Sequence, residues 1–185
     1  TVIFNRSALL FAGEDGVAAV SIIMYLQFLC IGIYFGFSMG LSTPLGYAYG
    51  DRNFSVCRVL EKYAYRFFAI APIILYGCTY LLTPIGVRFF ASPGSTVFDM
   101  AVSGLRLYGL GFLFSGINIF AAIRMMTYGK GYISGMITFL RSFALLLLFL
   151  TVLPRFLELN GIWLAVPAAE ILTLIVALWT LRKKL

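Results

Sequence analysis

The sequence predicts an all-α, polytopic membrane helix bundle, on three observations. Hydrophobic residues make up 62% of the chain, charged residues only 11%, and the mean hydropathy is +0.98. A water-soluble domain carries roughly 25% charged residues. The apolar residues are gathered into long runs separated by short clusters of glycine, proline and polar residues, the usual turn signal. At ~20 apolar residues per crossing, the 185 residues hold about five full spans and part of another.

The breaks fall at Gly13–Gly16, Gly50–Asn53, Ser92–Ser95, Gly129–Gly131 and Pro154–Asn160, which predicts helices near 1–12, 16–49, 56–90, 97–128, 131–153 and 160–182. The first run is short and carries Asn5 and Arg6 at its middle, which argues against a signal peptide and reads as a helix cut partway along. The second is too long for a hydrocarbon layer of ~30 Å at ~1.5 Å per residue, so it must tilt, kink or project. Gly32, Gly36 and Gly40 place a flat stripe on it, suited to tight helix packing or to a sliding, cavity-facing surface. Pro44 frees a carbonyl four residues back and makes a pliant point; Tyr47 and Tyr49 follow near the interface.

The third helix is also over-long. Val56, Leu60, Tyr63 and Phe67 lie at helical spacing, with Arg58, Glu61, Lys62 and Arg66 on the other faces, an amphipathic entry at the interface before the true span begins near Phe68. On the fourth, Ser115 and Asn118 sit among Gly109, Gly111 and Gly116, suited to helix association or to a wet cavity wall. Ionisable residues inside spans carry the most information, because each needs a partner or water. Arg106 lies within the fourth helix, Arg141 within the fifth and Glu170 midway along the last. A Glu170–Arg pair inside the bundle and a transported-proton site are both open readings.

The net charge of +7 comes from basic residues in the gaps between apolar runs, which marks topology rather than a nucleic-acid partner. With the C-terminus in the cytoplasm, nine cations fall inside (Arg52, Arg58, Lys62, Arg66, Arg124, Lys130, Arg182, Lys183, Lys184) and two outside, Arg88 and Arg155. The chain is therefore expected in the plasma membrane, the inner membrane of a bacterium, with its C-terminus cytoplasmic. There is no histidine, and Cys30, Cys57 and Cys78 form no metal-ligand or disulfide pattern. No nucleophile–base–orienter set can be assembled, so no enzyme, resident cofactor or metal site is expected.

Several stretches together resemble one family. Ser42-Thr43-Pro44-Leu45-Gly46-Tyr47-Ala48-Tyr49-Gly50-Asp51-Arg52-Asn53 resembles the end of the eighth helix of multidrug and toxic-compound extrusion (MATE) transporters. Asn5-Arg6 followed by Gly16-Val17-Ala18-Ala19-Val20 resembles the preceding turn. Ile123 through Gly131 resembles the Gly-Lys turn between the tenth and eleventh helices, Phe139-Leu140-Arg141-Ser142 a Leu-Arg pair in the eleventh, and Gly161 through Glu170 the opening of the last helix.

The resemblance implies that residues 1–185 are the C-terminal six-helix lobe of a twelve-helix transporter, partnered by an N-terminal lobe and by membrane lipid. It implies cation-coupled antiport, driven by Na⁺ or H⁺, of small amphipathic, often cationic compounds by alternating access. Some family members couple cations through an acid in the tenth helix, whereas the matching stretch here holds no acid between Asp99 and Glu158, and Asn118 is its nearest polar residue. Asn118, Arg141, Glu170 and Tyr47 are the expected substrate or cavity residues; Pro44, Gly32, Gly36 and Gly40 are the expected kink and packing residues. A lipid-linked oligosaccharide flippase of related fold, with a more cationic cavity, is the rival within the class. A non-transporting membrane fragment or interaction module is the rival outside it.

Overall fold

The computed structural model describes residues 2–182, and every regular element among them is helical. In chain order these are α1 (Val2–Gly50), α2 (Phe54–Arg88), α3 (Thr96–Tyr108), a 3₁₀ turn (Gly109–Gly111), α4 (Phe112–Thr127), α5 (Gly131–Phe139), a π turn (Leu140–Ala144), α6 (Leu145–Val152) and α7 (Pro154–Arg182). Taken across the irregular turns, five stretches are long and apolar enough to cross a membrane: Val2–Gly50, Phe54–Arg88, Thr96–Thr127, Gly131–Val152 and Pro154–Arg182.

Two expected loops contract to a single non-helical residue each. Gly13 (φ 61°, ψ −151°) interrupts α1 and Glu158 (φ 49°, ψ −129°) interrupts α7. The chain reverses sharply at both. A Cβ on Gly16 would lie 2.9 Å from the Ala8 carbonyl oxygen, and one on Gly161 would lie 2.5 Å from that of Leu153. Residues eight apart on a straight helix are separated by about 12 Å along the axis. Gly13 meets its conformation without a Cβ penalty; Glu158 holds a strained backbone that L-residues rarely adopt.

The remaining turns follow their chemistry. Asn53 caps α2 by accepting from the Val56 amide (3.3 Å), and Ser95 caps α3 by accepting from the Phe98 amide (3.2 Å). Gly129, at φ 72°, closes α4 while the Lys130 amide donates back to Met125 (2.8 Å).

The Thr96–Thr127 column is the most buried of the five spans and packs against α1, α2, α5 and α7. Its glycines are what let the neighbours close in. A Cβ on Gly104 would meet Trp163 at 2.9 Å, and one on Gly116 would meet Phe68 at 2.7 Å. Phe68 joins Tyr34, Phe37 and Phe120 in an aromatic cluster against Gly116. Gly32, Gly36 and Gly40 behave differently: no described atom lies within 4 Å of a Cβ placed on any of them. Within these residues, the tight packing expected of the α1 stripe is performed by α3 and α4, and the stripe itself is exposed. α1 runs helically through Pro44, which is exposed.

The entry of α2 also departs from expectation. The inward face is Cys57, Glu61, Ala64 and Phe68, so Glu61 is buried while Val56 and Tyr63 face outward. Arg124, at the end of α4, supplies the reason by pairing with Glu61.

Candidate functional site

Three of the residues singled out in the sequence meet at one place. Glu170, on α7, is 4% exposed, and Asn118, on α4, is fully buried. The Asn118 amide nitrogen donates to the Glu170 backbone carbonyl (2.9 Å) and to its Oε2 (2.7 Å). Arg141 closes the other side, with Nη2 2.5 Å and Nε 3.2 Å from Oε1. Glu170 is thus held by an amide and by the fork of a guanidinium, the geometry that best compensates a buried carboxylate. Asn118 Oδ1 accepts no hydrogen bond from any described residue.

The cluster forms part of the wall of a cavity of about 250 Å³, whose lining includes Gln27, Tyr108, Ser115, Arg141, Ser142 and Glu170. Tyr108 donates to Gln27 Oε1 on the same wall. Three helix irregularities of the central and C-terminal spans lie beside this cavity. The 3₁₀ turn lies between Tyr108 and Phe112, the π turn contains Arg141 and Ser142, and Pro167 lies three residues before Glu170. Gly111 lets the 3₁₀ turn approach α7; a Cβ there would meet Val166 at 3.1 Å and the Pro167 nitrogen at 3.4 Å. Non-α backbone at membrane depth leaves groups out of the regular hydrogen-bond ladder, and it is tolerated where protein or a water-filled cavity takes them up. The π turn inserts one extra residue into its helical turn and so sets which way Arg141 faces.

Tyr47 lies elsewhere, 75% exposed near the end of α1 and outside this cavity. Arg106 is turned away as well; its guanidinium lies 4.6 Å from the Tyr80 ring centre and its Nε donates to the Tyr80 carbonyl (3.4 Å).

A second buried ion pair was not anticipated from the sequence. Glu61 accepts from Arg124 Nε and from the Tyr128 hydroxyl (2.6 Å), and the Arg124 guanidinium lies 5.0 Å from the Tyr128 ring centre. Burial first, and then the Glu61 carboxylate, push the Tyr128 phenol above its ordinary range, so it stays protonated and donates. Its ring packs at a tilt of 37° against Tyr49, 4.5 Å between centres, which ties the ends of α1, α2 and α4 together. The sequence signal was one acid among three cations at the start of α2, together with an arginine five residues before the Gly-Lys turn.

The MatE family model matches residues 1–153 of this chain. The chain belongs to the MatE family. The matched stretch includes Asn118 and Arg141 and stops short of Glu170. Among solved structures, the chain is similar to an outward-facing multidrug resistance MATE family transporter of the MOP superfamily, at 22% identity and a TM-score of 0.86 over 97% of this chain and 41% of that one. It is equally similar to a MOP superfamily transporter from Pyrococcus furiosus Vc1 described as having a binding pocket of reverse polarity (22%, 0.86, 97% and 41%). The Vibrio cholerae MATE transporter VcmN follows at 20% identity and TM-score 0.85, again over 97% and 41%. At these identities the likeness establishes the fold, and this MATE chain spans about two fifths of the length of the structures it matches. No curated protein matches it.

Proposed function

We propose that this MATE chain is one lobe of a secondary transporter that exports amphipathic, cationic compounds in exchange for Na⁺ or H⁺. The observation that carries the proposal is that Glu170 is paired with Arg141 and lines a cavity of about 250 Å³. A cation that reaches the Glu170 carboxylate must take the place of the Arg141 guanidinium, because both need the same oxygens. Cation binding and the link from the π turn to α7 through Arg141 therefore exclude each other. An ion can shift a conformational equilibrium only through its differential affinity for the two states, and this exclusion supplies one. Asn118 keeps hold of Oε2 and of the backbone, so the carboxylate stays in place when the arginine leaves.

In this reading the exposed glycine stripe and Pro44 of α1 face the partner lobe, where rocking takes place, and Tyr47 faces the substrate path. The end bearing Arg52, Lys130 and Arg182 lies in the cytoplasm of the plasma membrane, and no covalent chemistry is required. A lipid-linked oligosaccharide flippase would need free cations in its cavity; in this cavity Arg141 is paired with Glu170, while Arg106 lies against Tyr80 and Arg6 lines a separate cavity with Asn5 and Glu14.

The test is Glu170→Gln in the full transporter, reconstituted in proteoliposomes with an amphipathic cationic dye and an imposed Na⁺ or proton gradient. The amide keeps the bond to Asn118 and removes the charge. Dye export should lose at least tenfold of its gradient stimulation. Unchanged export and unchanged cation dependence would end the coupling role.

A further inference from the structure

We propose that the first four turns of α2 form a binding face for anionic phospholipid headgroups. The buried Glu61–Arg124 pair makes this possible. Cys57, Glu61, Ala64 and Phe68 turn inward, and the one acid of the segment is thereby withdrawn from the surface. Arg58, Lys62 and Arg66 all remain exposed. At about 100° per residue these cations fall at successive i, i+4 positions on an arc of about 80°, where like charges repel one another. The adjoining arc carries Val56, Val59 and Tyr63, which are 41%, 53% and 59% exposed. An uncompensated row of cations beside a row of exposed apolar side chains fits an interface with phosphate on one side and acyl chain on the other.

The position suits that partner. The segment stands at the end of a candidate span, immediately after the Asp51–Asn53 turn, and is fixed there by Glu61, Arg124 and Tyr128. Water alone would solvate the cations and leave Val59 and Tyr63 uncovered. Neutral lipid would cover the apolar row and leave the repulsion among the cations in place. Anionic lipid does both, and each cation near such a surface contributes about a fivefold preference.

The experiment titrates the purified full protein in detergent with dihexanoyl phosphatidylglycerol and, separately, dihexanoyl phosphatidylcholine, reading the concentration that gives half of the maximal rise in Tm. Wild-type protein should respond at a concentration at least tenfold lower for phosphatidylglycerol. Arg58→Gln/Lys62→Gln/Arg66→Gln should bring the two lipids to within about threefold, whereas Arg88→Gln/Arg155→Gln, at the other end of the bundle, should leave the preference intact. Lys62→Gln alone should lose about fivefold and serves where the triple variant does not fold. A preference retained by the triple and single variants overturns the proposal, as does an equal loss in the opposite-end control. A triple variant less stable in both lipids with its preference intact would assign the face to a protein neighbour instead. Reproduction of the effect by inorganic phosphate at equal ionic strength would assign it to free anion.

Discussion

Glu61 and Glu170 are both buried glutamates, 7% and 4% exposed, and each is paired with an arginine on another helix. Their surroundings divide them. Glu61 is held at one point: Arg124 and Tyr128 converge on one oxygen, the Tyr128 ring lies under the guanidinium, and Tyr49 packs on that ring. Glu170 is served from a wall: Asn118 holds one oxygen, Arg141 spans the other, and the cavity beside them is bounded by 3₁₀ and π backbone. In the proposed reading, the same acid–base chemistry makes a fastening at Glu61 and an exchangeable contact at Glu170, which lines a cavity. Buried pairs of this kind add little net stability over apolar packing, but breaking one from a single side is costly.

The largest effect should come from breaking the Glu61–Arg124 pair. Arg124→Met leaves Glu61 buried without its cation and should lower unfolding stability by about 3–5 kcal/mol, read by thermal or denaturant unfolding in detergent. Adding Glu61→Leu to Arg124→Met should recover most of that loss, since an apolar pair needs no compensation. A loss below about 1 kcal/mol for the single variant would erase the distinction between the two sites.

Arg141→Met tests the other side. Glu170 keeps Asn118 and gains the cavity, so the stability loss should be about 1–2 kcal/mol, smaller than for Arg124→Met. The half-saturating concentration of the coupling cation should fall at least tenfold, because the competitor for the carboxylate is gone. Equal stability losses at the two arginines, with no change in cation dependence, would make the second pair a fastening like the first. The smallest effect sharpens the contrast: Tyr128→Phe removes one neutral donor from Glu61 while Arg124 stays, and should cost about 1 kcal/mol in the same unfolding assay.

Much of this was legible in the sequence, for physical reasons. Runs of apolar residues near the length of a bilayer crossing announce spans whatever they pack against, because the requirement comes from the lipid. Ionisable residues inside those spans announce a site because burial makes them costly. Arg141 and Glu170 were found that way, and Asn118 stood out among small residues on a central helix. A Glu170–Arg pair was one of two open readings; that Arg141 rather than Arg106 makes it, and that Asn118 joins it, follows from packing and from a π turn that no residue type in Leu140–Ala144 demands. Glu61 was misread for a related reason. A helical wheel sorts residues by polarity, and Glu61 lies among cations, so it reads as solvated until an arginine from α4 fixes which face turns inward.

The glycines make the same point. Spacing by fours marks Gly32, Gly36 and Gly40 as a flat face, yet a face is only an opportunity for contact. The glycines that set how closely helices approach are Gly104, Gly111 and Gly116, whose spacing is unremarkable and whose neighbours are Trp163, Val166 and Phe68. The sequence by itself determined that this chain is a bundle of membrane helices with an acid and an arginine inside it, because solvation by lipid acts on each residue where it stands. Which arginine each acid meets, and which acid lines a cavity, was decided only by the tertiary structure, because that depends on partners brought from other helices.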